Sequence, residues 1–354
     1  MDSRQLYPSW TLFFSWGGFV FLSINFFTGM LLSNIDLSTF ISVNTVALIL
    51  LAITLFPTIY LSIKYHINYS QAIYRFIENS YIRIILILLV VCINIGWYSI
   101  QLNAIQSIVL NTLNFQSTLL TIAISYLFAY GSYRLEYEWL KSFSIFTMLL
   151  FLGYLIVLFF NNSIIESKQI VTNDAVSIFN LTLMVYGTWA FSSSTVVMDI
   201  VKYTNDFKQS YLYILLATIF SNFTLIALGY FFARYTYVGS FEEFVSFFGI
   251  SFGLIILVLN IWTTNDSNFF SSMKALESLN IQKRYIFIVL PFVSALLSLH
   301  YGNDLFSLIG NWLKLMSWIA IPLTIFWWYV VLKKSDLYNQ KNLNYKIEIR
   351  NKIR

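Results

Sequence analysis

The sequence predicts an all-α polytopic membrane protein, and three observations carry that prediction. Only 10% of the 354 residues are charged while 58% are hydrophobic, whereas a water-soluble domain carries about 25% charged residues. Apolar runs of roughly 20 residues, enough to cross a hydrocarbon core of about 30 Å, recur along nearly the whole chain. The runs are continuous rather than alternating, which excludes a transmembrane barrel. Water does not reach backbone groups in the bilayer, so each run must satisfy its own hydrogen bonds as a helix.

Ten helices are predicted, over 10–33, 40–63, 82–110, 116–133, 142–161, 175–202, 211–233, 247–273, 285–300 and 305–332. The segment 64–81 reads as a short amphipathic surface helix. The first run begins near Trp10 after a weakly basic start and exceeds a signal-peptide core in length, so it stays as the first helix. Connections are short, which predicts a single transmembrane domain spanning 1–354. It ends in a basic tail over 335–354 (Lys341, Lys346, Arg350, Lys352, Arg354) suited to anionic headgroups.

Charge sets the expected orientation. With the N-terminus inside, all but three of the 21 lysines and arginines fall on the inner side. Lys168 and Arg234 lie outside, and Lys314 lies within helix ten, where a flexible side chain can snorkel to the outer headgroups. The excess predicts an inner (plasma) membrane protein with both termini in the cytoplasm.

Ten helices divide into five plus five, and an odd-numbered half inverts its successor. The prediction is therefore an inverted-repeat fold, with a first repeat over about 10–161 and a second over about 175–332. In such folds the site lies where corresponding helices break near the midplane. Helix one contains Ser15-Trp16-Gly17-Gly18, and helix six contains Gly187-Thr188-Trp189 followed by Ser192-Ser193-Ser194-Thr195. Small and hydroxyl residues weaken a helix and re-satisfy freed carbonyls. They also serve close helix packing, but their pairing at the first position of each half predicts broken helices one and six.

Polar residues at membrane depth are costly, so their placement is informative. Asn94, Trp97 and Gln101 share one face of helix three by their i, i+3, i+7 spacing. Asn260, Thr263 and Thr264 share a face of helix eight by the same argument. Carbonyls at a break in helix one, with the two threonine hydroxyls, would make a small uncharged oxygen cage of the kind a hard cation such as sodium prefers. Trp97 and Trp189 offer flat faces on which a planar ring can stack. Gln101 and Asn265 carry both donors and acceptors and can read the edge of a heterocycle.

Other chemistries find little support. Cys92 is the single cysteine, which excludes a disulfide framework and a cysteine-ligated metal. His66 and His300 are isolated from each other and from any acidic cluster. The formal charge of +5 resides largely in inner loops and the tail, which argues against a nucleic-acid partner. A membrane-embedded polysaccharide polymerase or other glycan-handling enzyme is the rival reading. Such enzymes need a sizeable outer loop bearing Arg or His, and Lys168, Arg234 and His300 are scattered on separate loops. A non-transporting sensor on the same fold is a further rival.

Four motifs resemble one family. Asn260-Ile261-Trp262-Thr263-Thr264-Asn265-Asp266 is similar to the helix-eight signature of cytosine permeases, in the nucleobase–cation symporter family. Gly96-Trp97-Tyr98-Ser99-Ile100-Gln101 resembles that family's helix-three motif. Trp16-Gly17-Gly18 through Thr28-Gly29 resembles its first helix, and Gly187-Thr188-Trp189 with Asp199 and Tyr203 its sixth. The resemblance implies a cation-coupled permease, not an enzyme and without a bound cofactor, with sodium or a proton as coupling ion. It implies a cytosine-like or hydroxymethylpyrimidine-like solute, the latter a thiamine precursor. Carried over by position, the sodium ligands are the carbonyls of Gly18, Phe21 and Asn260 and the hydroxyls of Thr263 and Thr264. The solute contacts are Trp97, Gln101, Thr188, Trp189 and Asn265. This chain departs from the family's usual twelve helices by having ten, and by one extra residue between Trp189 and Asp199.

Overall fold

The computed structural model describes residues 7–20, 23–113, 118–161, 177–236, 252–300 and 305–334. Among these residues the chain is helical, with no strand. The elements are α1 (Thr11–Val20), α2 (Ser23–Leu31), α3 (Leu37–Tyr65), α4 (Tyr69–Phe76), α5 (Ser80–Leu113), α6 (Thr118–Asn161), α7 (Ile178–Ser194), α8 (Val197–Val201), α9 (Phe207–Thr236), α10 (Phe252–Glu277), α11 (Lys283–Ser298) and α12 (Leu305–Tyr329). A π-helical turn, Val330–Lys334, ends α12.

Among the described residues four stretches, Leu37–Tyr65, Ser80–Ser107, Phe207–Tyr235 and Ser307–Lys333, are long and apolar enough to cross a bilayer. Their outer faces expose Ile49, Ile53, Ile85, Leu216 and Ile325. Apolar surface on that scale is unfavourable in water and matches lipid tails. Local chemistry sets several ends. Asp36 caps α3 by accepting from Thr39 N at 2.9 Å, and His66 closes it with a left-handed φ of 50°. The short helix expected within 64–81 is α4. It starts with a reciprocal capping box between Asn68 and Gln71, and it buries Tyr69, Ala72, Ile73 and Phe76.

The first span is described as two helices, α1 and α2, flanking residues 21 and 22, which lie outside the described residues. Ser15-Trp16-Gly17-Gly18, the expected weak point, is helical within α1. Gly187-Thr188-Trp189 is likewise helical within α7. The sixth span instead breaks at the end of the hydroxyl run, where Thr195 adopts φ −135° and ψ −74°. Freed groups there find partners: Thr58 Oγ1 donates to Ser193 O at 3.0 Å, and Trp327 Nε1 donates to Ser194 O at 2.9 Å. Gly187 serves packing instead. A Cβ there would lie 1.8 Å from Leu313 O, so α7 and α12 approach backbone to backbone.

Helices four and five, expected as 116–133 and 142–161, form one helical stretch, α6, with the expected connection itself helical. The stretch is not straight. Phe128 and Phe143 both have ring centroids 5.3 Å from that of Trp262, whereas fifteen residues of straight helix span about 22 Å. The helical stretch therefore bends between them. In this region Ser132 N donates to Asp266 Oδ1 at 3.0 Å. This bond ties α6 to α10, a partner that no local reading of 116–161 contains.

The core lies between these helices. Its largest fully buried side chains include Trp16, Trp327, Tyr98 and Tyr230. Each has its polar tip paired, as burial demands; Trp16 Nε1 donates to Thr218 Oγ1 at 2.8 Å, and Tyr230 Oη to Ile35 O at 2.8 Å.

Candidate functional site

α5 carries two groups of polar and aromatic side chains. Tyr98 Oη donates to Ser125 O at 2.5 Å, and Gln106 Nε2 donates to Thr121 Oγ1 at 3.0 Å and Ser298 Oγ at 3.1 Å. Tyr98 and Gln106 are committed to α6 and α11. Asn94, Trp97 and Gln101 share one face. Trp97 is half-buried and meets Trp312 of α12 edge to face, with centroids 6.2 Å apart and planes at 82°. Gly96 makes room for that indole, since a Cβ there would lie 2.3 Å from its outer ring carbons. Gln101 is 9% exposed, and its Oε1 has no hydrogen-bond partner among the described residues. Asn94 Nδ2 is in the same condition.

α10 packs against α5 and α6 and brings the second polar group. Asn265 is 0% exposed, and both its Oδ1 and Nδ2 lack partners among the described residues. A buried polar group left unpaired costs about 1–3 kcal/mol. Such groups persist where water or a ligand completes them. Asn94, Gln101 and Asn265 thus put unmet donors and acceptors on two adjacent helices.

The helix-eight oxygens come together on one carbonyl. Asn260 O accepts from Thr263 Oγ1 at 2.7 Å and from Thr264 Oγ1 at 3.2 Å. One carbonyl and two hydroxyls, all neutral oxygens, form the donor set that a hard monovalent cation takes. No group of three or more His, Cys, Asp or Glu able to hold a metal occurs among the described residues. Gly18 lies in α1, which touches α10. Phe21, the other helix-one candidate, is outside the described residues.

On α7, Thr188 is buried and donates only a long 3.4 Å bond to Met184 O. Trp189 is buried, and its Nε1 donates to Asn25 Oδ1 of α2 at 2.7 Å. This bond ties the sixth span to the second half of the first. Sequence reasoning missed Trp312 and Asn25. Trp312 stands in helix ten, where no motif pointed, and its buried Nε1 has no partner among the described residues. Asn25 is a buried amide in an apolar run, and that rarity was its available signal.

No protein-family model matches the chain, and no curated protein matches it. Solved structures share its fold. One is Mhp1, a nucleobase-cation-symport-1 family transporter in a closed conformation with bromovinylhydantoin bound. It has a TM-score of 0.65 and 16% identity, over 88% of this chain and 78% of that one. Another is a Na+-coupled sialic acid symporter in a substrate-bound outward-open state. It has a TM-score of 0.51 and 15% identity, over 94% of this chain and 75% of that one. The fold is accordingly the five-plus-five inverted-repeat fold of these symporters, and the chain is a multi-pass membrane protein.

Proposed function

We propose that this chain is a secondary active transporter that couples entry of a cation, sodium, to uptake of a small planar nucleobase-like heterocycle by alternating access. One observation carries the reading. The unmet polar groups of Gln101 and Asn265 stand on neighbouring helices, and α10 also bears the Asn260–Thr263–Thr264 oxygen cluster. The shared fold supports it. Mhp1 belongs to a nucleobase–cation symport family, and the second neighbour is Na+-coupled. Both are symporters, which does not favour the glycan-enzyme alternative.

In this reading the hydroxyls of Thr263 and Thr264 rotate from Asn260 O to present lone pairs to sodium, together with the carbonyls of Gly18 and Phe21. Trp97 and Trp189 supply aromatic surface for the solute ring, with Thr188 beside them. Gln101 and Asn265 pair with the solute's edge. Coupling follows when each ligand binds the closing-competent state better than its alternative. Both termini face the cytoplasm, following the lysine and arginine asymmetry.

Thermal stabilisation of the purified protein by a panel of pyrimidine and purine bases, with and without sodium, tests this. A sodium-dependent rise for at least one base is expected. No shift with any base would remove the solute assignment. A sodium response retained by Thr263→Ala plus Thr264→Ala would remove the oxygen cage.

A further inference from the structure

The seam between α6 and α11 has no part in the site above, and its outer rim is exposed. The two helices run antiparallel along it. Ser125 Oγ donates to Pro291 O at 2.7 Å, Tyr126 Oη donates to Ile288 O at 2.5 Å, and the Tyr133 ring stacks on Phe287 with centroids 4.3 Å apart. Tyr126, Tyr130 and Tyr133 recur at i, i+4 and i+7 and so share a helix face. All three approach the single ring of Phe287. Beside this aromatic ladder Leu127, Ile288, Val289 and Phe292 are exposed. Apolar surface of that kind suits acyl chains rather than water.

One turn beyond the ladder the chemistry changes. Arg134 follows Tyr130 by four residues and Arg284 precedes Ile288 by four, so antiparallel packing brings both to the same end of the seam. Both are exposed. Aromatic rings hold the cations there. Arg134 Cζ is 5.9 Å from the Tyr130 centroid, and Lys283 Nζ is 5.3 Å from that of Tyr133. Arg284 Cζ lies 4.7 Å from the Tyr285 centroid, and its Nη2 donates to Tyr285 Oη at 2.8 Å. Ring contacts fix where these charges stand but do not neutralise them. Among the described residues neither Arg134 nor Arg284 makes an ion pair. Over 134–141 and 282–285 the sequence holds four cations, Arg134, Lys141, Lys283 and Arg284, against Glu136 and Glu138. The positive excess therefore outlasts the nearby acids.

We propose that this end of the α6–α11 seam binds an anionic phospholipid, with Arg134 and Arg284 on the headgroup phosphate and the exposed rim along the acyl chains. A guanidinium presents paired donors that match phosphate oxygens. Tyrosines flank the cations, as they do at headgroup level in membrane proteins. Apolar surface leads directly away from the charges, which a lipid can use and a soluble anion cannot. The lysine and arginine asymmetry places this end at the cytoplasmic leaflet, where basic clusters between spans take anionic headgroups. A lipid held there bridges α6 and α11. The inference does not depend on which solute or cation the chain carries.

The test follows the melting temperature of the purified full chain in neutral-detergent micelles, titrated with phosphatidylglycerol or with phosphatidylcholine. The wild type is expected to be stabilised more by phosphatidylglycerol. Arg134→Gln plus Arg284→Gln is expected to weaken half-saturation by that lipid roughly thirtyfold, about 2 kcal/mol, and to leave the phosphatidylcholine response unchanged. Arg134→Lys plus Arg284→Lys, which keeps both charges, is expected to retain most of the preference. Lys208→Gln plus Lys333→Gln removes two exposed charges elsewhere and is expected to retain all of it. If the glutamine pair does not fold, Arg284→Gln alone decides, with an expected loss of about fivefold. A wild type with no preference, or a glutamine variant with the wild-type preference, overturns the site. Equal loss in the Lys208 and Lys333 variant overturns it too, because the attraction is then spread over the whole face. Equal stabilisation by soluble glycerol 3-phosphate overturns the assignment to a lipid.

Discussion

Replacing Gly187 with alanine tests whether the sixth and tenth spans touch backbone to backbone. The added Cβ would lie 1.8 Å from Leu313 O and 2.6 Å from Ser317 Oγ. Ordinary contact begins at 3.4 Å. A backbone carbonyl cannot rotate away, so α7 and α12 must separate by about 1.6 Å or the helices must bend. Overpacking of this kind costs about 1–3 kcal/mol. The separation also strains the bond from Ser317 Oγ to Leu183 O, which joins the same two helices. In a chain of this size the melting temperature should fall by about 2–10 °C. The matched control is Gly153→Ala in α6, where an added Cβ meets nothing within 4 Å; it should melt with the wild type or slightly above. The assay is retention of monodisperse protein in detergent after stepwise heating. If both alanine variants melt together, the close approach of α7 and α12 is wrong.

Three further outcomes follow from single contacts. Trp189→Phe removes the 2.7 Å bond to Asn25 and should destabilise by about 1–3 kcal/mol, read as a lower melting temperature that Trp189→Tyr does not restore. Gln101→Leu deletes an acceptor with no partner among the described residues; melting should hold or rise while affinity for the transported base falls by roughly tenfold, and equal binding would count against Gln101 as a solute contact. Asn68→Ala removes one half of the capping box of α4, and faster amide exchange confined to 69–76 should accompany a loss of about 1 kcal/mol.

The helices were legible because bilayer physics writes each as a long apolar run, and all ten predicted spans have their bulk in α-helix at the expected place. The fourth and fifth share one stretch: the charged run Arg134, Glu136, Glu138 and Lys141 reads as a connection, but with no proline or glycine in 134–141 the backbone stays helical through it. The break in the sixth span was legible in kind but not in position. Gly187 looks like a hinge by composition, yet the contact that explains it comes from Leu313, over a hundred residues away. The hydroxyl run Ser192–Thr195 does sit at the break, with Thr58 and Trp327 as partners. The Asn260, Thr263 and Thr264 group was readable because helical spacing alone brings it together. Trp312 and Asn25 were not, since each acquires meaning only from the helix across from it.

The central claim is tested most directly by uptake of radiolabelled pyrimidine and purine bases into proteoliposomes holding the purified protein, with and without an inward sodium gradient. The account predicts accumulation of at least one base that collapses when the gradient is abolished and is lost in the Thr263→Ala, Thr264→Ala double variant. Accumulation of no base, or accumulation indifferent to sodium and to those two hydroxyls, would contradict it.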